Sequence, residues 1–274
     1  MLYIFKMKIY ELKWRSFHRK LEKENYKIIK ERLNKSIALI PYLNIREKHY
    51  DVLMRNIFSY EMFRDIYVEI YYNSALKAYR YHKKKDRVKS SFTSFDEVFL
   101  KDVINFIDTN VTRRIRSVRN TFLKEVSKVI INAFSEGYDV ATIAKKIEKI
   151  INDKSFYRWR ALAIARTETT SAANYGSLRT YSESKFMYQK TWISAKDERT
   201  RRIPKNKFDH SVMNGVTVDL HEYFNIQGET IPFPAAPTTK KGTQTSAANV
   251  INCRCSLAFT PKKDANGRLI RRIL

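Results

Sequence analysis

Glycine and proline interrupt regular backbone, and this chain of 274 residues carries only six of each. Most of them come late, at Pro204, Gly215, Gly228, Pro232, Pro234, Pro237 and Gly242. The long stretch before them has few breakers and therefore predicts long helices. Hydrophobic residues make up 43% of the sequence, enough for one large or two ordinary domains with a real core.

Apolar spacing divides that stretch. Residues 8–40 predict one charged helix, with Leu12, Phe17, Leu21, Ile28, Ile29 and Leu33 at its apolar positions and Pro41 ending it. Residues 46–82 predict a second, rich in tyrosine, and the polar run 83–94 breaks it. Ser94 and Glu97 have the spacing of a capping box for the next helix. Ile115, Val118, Phe122, Val126, Val129, Ile130 and Ala133 then recur at intervals of three and four, one buried stripe. Arg113, Arg114, Arg116, Arg119, Lys124 and Lys128 are assigned to the rest of that helix's surface, as a solvated face or as phosphate contacts. Gly137 suits the left-handed residue that closes a helix. Asp139 suits the cap of the next one, whose Val140, Ile143, Ala144, Ile147, Ile150 and Ile151 fit the helical template. Ser155 is a candidate cap for a further helix, in which Ala161, Ala163, Ala165, Ala172 and Ala173 permit close packing.

The character changes near Lys185, where short apolar runs alternate with turns and prolines and predict short strands. The expected class is α+β: a helical region over 1–184, a compact mixed part over 185–261, and a basic tail over 262–274 that is at best partly ordered.

The formal net charge is +25 and the pI about 9.9. Such an excess suits an anionic polymer, because lysine and arginine release counterions from phosphates. A generally lysine-rich composition is the bland account of the same number. Arg113, Arg116, Lys205 and Lys207 are the candidate DNA contacts. Two cysteines in a chain this long argue against a secreted disulfide scaffold. The opening MLYIFKMKIYELKWRSF is broken by Lys6, Lys8 and Lys13 and predicts no signal peptide. No run approaches the roughly 20 apolar residues of a membrane span, so synthesis in a cytoplasm is expected.

Both cysteines fall in INCRC, residues 251–255. One intervening residue makes a poor disulfide but a workable metal clip. Two thiolates and an imidazole are good zinc ligands, so Cys253, Cys255 and His210 with Asp197 are a candidate structural zinc site; Asp209 and His221 are further choices for the fourth ligand. The spacing is not that of a standard zinc finger, and two buried thiols beside a hydrogen-bonded histidine remain the simpler account. Asp209 and His210, with a later asparagine and cysteines, echo a His-based metal-dependent nuclease in part, but no second histidine follows the cysteines to complete it. Arg166 and Glu168 stand two apart on a helix and so point apart; both are expected to join their helix to the C-terminal part through ion pairs or hydrogen bonds.

Taken in order, ARTETTSAANYG (165–176), KTWISAKDERTR (190–201), HSVMNGVTV (210–218), Phe224, a loop through Pro234 and INCRC resemble the phage Mu protein F-like family of minor head proteins. The segment RIPKNKFD separates Arg201 from His210, where the family spacing is short. The matching positions are Arg166, Glu168, Trp192, Asp197, Arg199, Arg201, Gly215, Asn252 and Arg254. The resemblance implies a non-enzymatic head morphogenesis protein of a tailed phage or prophage. It also implies few copies in the virion, in the head interior near the portal vertex. The implied partners are the portal protein, the major capsid or scaffolding protein, and double-stranded DNA bound without sequence preference. It implies further that INCRC is the closing strand, with its cysteines near Trp192, and that Arg199, Arg201 and Arg254 grip carboxylates. The alternative is a metal-dependent nuclease or toxin-like effector delivered with the genome.

Overall fold

A computed structural model describes residues 2–40, 50–86, 95–152 and 157–272. Its helices are α1 (Leu2–Ile37), α2 (Tyr50–Ile57), α3 (Tyr60–Asp86), α4 (Phe95–Phe106), α5 (Thr112–Ser135), α6 (Val140–Asn152) and α7 (Tyr157–Ser182). A π-helical turn, Ile107–Val111, joins α4 to α5. The strands β1 (Tyr188–Ile193), β2 (Thr217–Asp219), β3 (Phe224–Ile226), β4 (Glu229–Ile231) and β5 (Ser256–Pro261) follow, with the short helix α8 (Ala247–Val250) before β5. The chain is α+β, as its sequence predicts. Pro41, Ser94 and Ser155, the proposed helix boundaries, lie outside the described residues.

The stripe on α5 is buried at Ile115, Phe122, Val126, Ile130 and Ala133. Gly137 has φ of +74°, and Asp139 Oδ1 accepts the Thr142 amide at 2.6 Å, so α5 stops and α6 starts where glycine and aspartate predict. The tyrosine-rich helix expected over 46–82 is two helices. It breaks at Phe58–Ser59, where Ser59 Oγ accepts the Met62 amide at 3.1 Å and caps α3. Arg119 belongs to that break rather than to an open basic face: its guanidinium donates to the carbonyls of Phe58 at 2.7 Å and Arg55 at 3.1 Å.

Helix α7 is the axis of the molecule. From Thr167 to Asn174 it is buried on every side, packed against α1, α3, α6 and β5. Its composition permits this. Thr167, Ser177 and Thr180 satisfy their hydroxyls on the carbonyl four residues back, so they need no water. Against α3 the approach is close at Gly176: a Cβ built there would lie 2.2 Å from the Ala75 carbonyl oxygen.

Strand β1 is central in an antiparallel sheet of order β2-β1-β5, with Trp192 opposite Leu257. Strands β3 and β4 form a hairpin whose Gln227 and Gly228 both have positive φ, the turn that suits a twisted two-strand ribbon. Trp192, Phe208, Phe224, Ile231, Phe233 and Leu257 build a second core, on which Phe106 and Tyr175 of the helical part pack. The basic tail is ordered further than its composition predicts. Phe186 bridges Arg271, Lys263 bridges Leu269, and the Arg272 amide donates to the Lys185 carbonyl at 2.9 Å.

Within the helical part His18 is fully buried, and neither ring nitrogen has a hydrogen-bond partner among the described residues. Burial holds its imidazole at about 4, below the ordinary 6.5. Between those two values the unfolded chain binds a proton that the folded chain does not, so stability falls as pH falls through that window. The loss is expected to reach about 3 kcal/mol once the pH is below both values. Urea unfolding of the chain and of His18→Leu, compared at neutral and acid pH, checks it: the substitution should flatten this part of the acid dependence.

Candidate metal centre

INCRC is not itself a strand. It is the loop that enters β5, and α7 holds it backbone atom by backbone atom. Thr170 Oγ1 donates to the Cys253 carbonyl at 2.7 Å, and Asn174 Nδ2 to the carbonyls of Cys255 at 3.0 Å and Pro234 at 2.9 Å. The Asn252 amide donates to Thr167 Oγ1 at 2.9 Å, and Asn252 takes the left-handed φ of +58° that asparagine tolerates. The two thiols are thus fixed by main-chain contacts and turned toward Trp192 and His210 in the second core.

His210 Nδ1 lies 3.6 Å from Cys253 Sγ and 3.5 Å from Cys255 Sγ. The three ligating atoms lie within 4.8 Å of one another, and all three residues are buried. Trp192 stands edge-on to the imidazole at 5.4 Å between ring centroids. Its indole N–H is buried without an acceptor at hydrogen-bond distance among the described residues. The contact with Cys255, and His210 beside it, hold the Cys253 thiol far below its ordinary range. That same contact, with burial, pushes the Cys255 thiol far up.

RIPKNKFD forms an excursion before His210, which stands beside the two thiols. The excursion is closed at its neck, where the His210 amide donates to the Arg201 carbonyl at 3.1 Å and the Ile203 amide to Asp209 Oδ2 at 3.2 Å. The loop is exposed from Arg202 to Lys207.

Other expected site residues lie elsewhere. Asp197 is not in the thiol–imidazole group; it pairs with Arg254 and accepts from the Arg199 amide and from Thr200. Asp209 Oδ1 is taken by Ser211 and Val212, and His221 lies against Arg272. Of the three arginines expected to grip carboxylates, Arg254 does so. Arg201 instead donates to the Ile251 carbonyl, and the Arg199 side chain is exposed. Gly215, at φ of +88°, donates its amide to the Trp192 carbonyl at 2.8 Å, a conformation that favours glycine.

Arg166 and Glu168 do point apart, but neither reaches the C-terminal part. Arg166 pairs with Glu22 of α1 at 3.6 Å, and Glu168 with Arg114 of α5 at 3.0 Å. The joining is done by Thr167, Thr170 and Asn174, short polar residues that an ion-pair argument passes over. Arg114 is correspondingly buried, not part of a basic face. Its place four residues before Val118 and eight before Phe122, on the stripe, was the available signal.

The phage Mu protein F-like family model matches residues 124–258, about half of the chain. These residues form a phage Mu F-like domain. The match opens within α5 and closes within β5, so it takes in α7, the thiol–imidazole group and Trp192. A chain carrying the Mu F-like domain is a phage head morphogenesis protein. No curated protein and no solved structure matches the chain. Among the described residues, no helix is long and apolar enough to cross a membrane.

Proposed function

We propose that this Mu F-like protein is a minor head protein of a tailed bacteriophage or prophage. It works inside the head at the portal vertex, contacts the portal protein and the major capsid or scaffolding protein, and binds double-stranded DNA without sequence preference. The domain over residues 124–258 is the observation that carries this reading. Its role is structural: what the fold invests in is a buried axis and two cores that present an extended helical surface.

The charge supports the DNA contact. Fifty-three lysines and arginines oppose 28 aspartates and glutamates, and Arg113, Arg116, Lys205 and Lys207 are all exposed. Arg116 lies over the Tyr60 ring, which holds its guanidinium without neutralising it. Contacts of this kind go to phosphates and carry no sequence information.

Titration of the purified chain against unrelated duplexes over a range of salt tests the DNA contact. Affinity should be equal for all sequences and fall steeply with salt, by about 0.9 in the log–log slope per phosphate neutralised. Replacing Arg113, Arg116, Lys205 and Lys207 together by alanine should make that slope shallower. Undetectable binding at low salt, or an unchanged slope, removes these residues from the reading. For the portal contact, the chain should co-purify with portal protein from cells making both, and should be found inside purified heads.

A further inference from the structure

We propose that Cys253, Cys255 and His210 bind one zinc ion, with His210 coordinating through Nδ1 and water completing the tetrahedron. Three observations carry this. The first is distance. Zinc–sulfur bonds of about 2.3 Å and zinc–nitrogen bonds of about 2.0–2.1 Å place the two donor atoms about 3.6 Å apart across a tetrahedral angle. The two sulfur-to-Nδ1 separations are 3.6 and 3.5 Å. One histidine nitrogen therefore lies at the coordination edge length from two sulfurs at once.

The second is the tautomer. His210 Nε2 lies 2.8 Å from Asn249 Oδ1. The Asn249 amide is oriented by its other end, where Nδ2 donates to Glu229 Oε2 at 2.9 Å. A carboxylate oxygen accepts, so the Asn249 nitrogen faces Glu229 and its oxygen faces the imidazole. Nε2 must then carry a proton, which leaves Nδ1, the nitrogen that faces the two thiols, as the one able to bind a metal. A carboxylate behind an amide behind a histidine is the arrangement that orients and strengthens a metal-bound imidazole.

The third is the protein's provision for negative sulfur in a closed place. The Trp192 indole N–H, buried in the same core as the two thiols, has no acceptor among the described residues. Two soft thiolates and one imidazole select zinc over magnesium or calcium. Asp197, the fourth ligand expected from the sequence, is held by Arg254. Among the described residues no other histidine, cysteine or carboxylate joins the group. On binding, two thiol protons leave and two S–Zn bonds and one N–Zn bond form, without redox change.

The full-length chain, purified under reducing conditions and without chelator, is the sample. Elemental analysis should give about one zinc per chain. Cobalt titrated into stripped protein should give the intense bands of tetrahedral cobalt with a thiolate-to-metal charge-transfer band, and zinc should bleach them. Cys253→Ser with Cys255→Ser should abolish both signals. Glu229→Gln, which leaves all three ligands in place, should weaken zinc affinity about 10- to 100-fold. Release of zinc by a thiol-blocking mercurial from the unaltered chain provides a readout that no misfolded variant can confuse. Metal-free protein with two free thiols that neither takes up zinc nor shows the cobalt charge-transfer band overturns the proposal. So does zinc retained in the double serine variant.

Discussion

Replacing Glu168 by alanine should cost the folded chain about 3–5 kcal/mol, a large fraction of the stability of an ordinary domain. Its carboxylate accepts from Arg114 Nη1 at 3.0 and 3.2 Å and from the Tyr71 hydroxyl at 2.8 Å. The side chains of Glu168 and Arg114 are 2% and 9% exposed. Taking two charges out of water offsets much of their attraction, so the intact pair adds little net stability. The cost arises when one member is removed and a guanidinium is left buried without its anion. Arg114→Met together with Glu168→Leu should therefore recover most of what Glu168→Ala loses. The Arg32–Glu69 pair is the internal control: its side chains are 47% and 41% exposed, and Glu69→Ala should change stability by less than about 1 kcal/mol. Urea unfolding of the four proteins separates the cases. Equal losses for Glu168→Ala and Glu69→Ala would mean that water reaches the α5–α7 contact.

A methyl group at Gly176 should be almost as damaging, and here the sign of the effect is the test. In an open helix glycine to alanine stabilises by about 1 kcal/mol, because alanine restricts the unfolded chain and solvates less backbone. At Gly176 the added Cβ would stand 2.2 Å from the Ala75 oxygen and 2.7 Å from both its carbonyl carbon and its Cα. These are backbone atoms of α3, and no side-chain rotation clears them. The helices must separate along a buried face, and Gly176→Ala should destabilise by about 3 kcal/mol or more, at the upper end of overpacking costs. A stabilised alanine variant in thermal or urea unfolding would show that α3 and α7 do not approach here.

These two residues also show where the sequence was legible. Local chemistry was: the α5 stripe, the Gly137 stop and the Asp139 cap each depend on neighbours within a few positions, and each is found where its spacing puts it. Residues that meet only in the folded chain were harder. Arg114 and Glu168 are 54 apart, and nothing near either names the other. The arginine looks like one more member of a basic face, and the glutamate like a link to the C-terminal part. The π-helical turn at Ile107–Val111 has no periodic signature, since it adds a residue to a helix that is otherwise continuous in pattern. In the candidate site the two cysteines and the histidine stand out by chemical type alone. Asn249 and Glu229 do not: an asparagine 39 residues from His210 acquires its role only when α8 and the β3–β4 hairpin converge. Asp197 was a reasonable ligand by type and failed because a nearer cation, Arg254, claims it.

Helix α7 belongs to both cores. One stretch of it, Thr167 to Asn174, seals the helical layer and holds the INCRC loop by its carbonyls and amides. Among the described residues there is accordingly no waist between the halves at which one could nod against the other. A joint of this kind suits a wedge or a strut better than a latch.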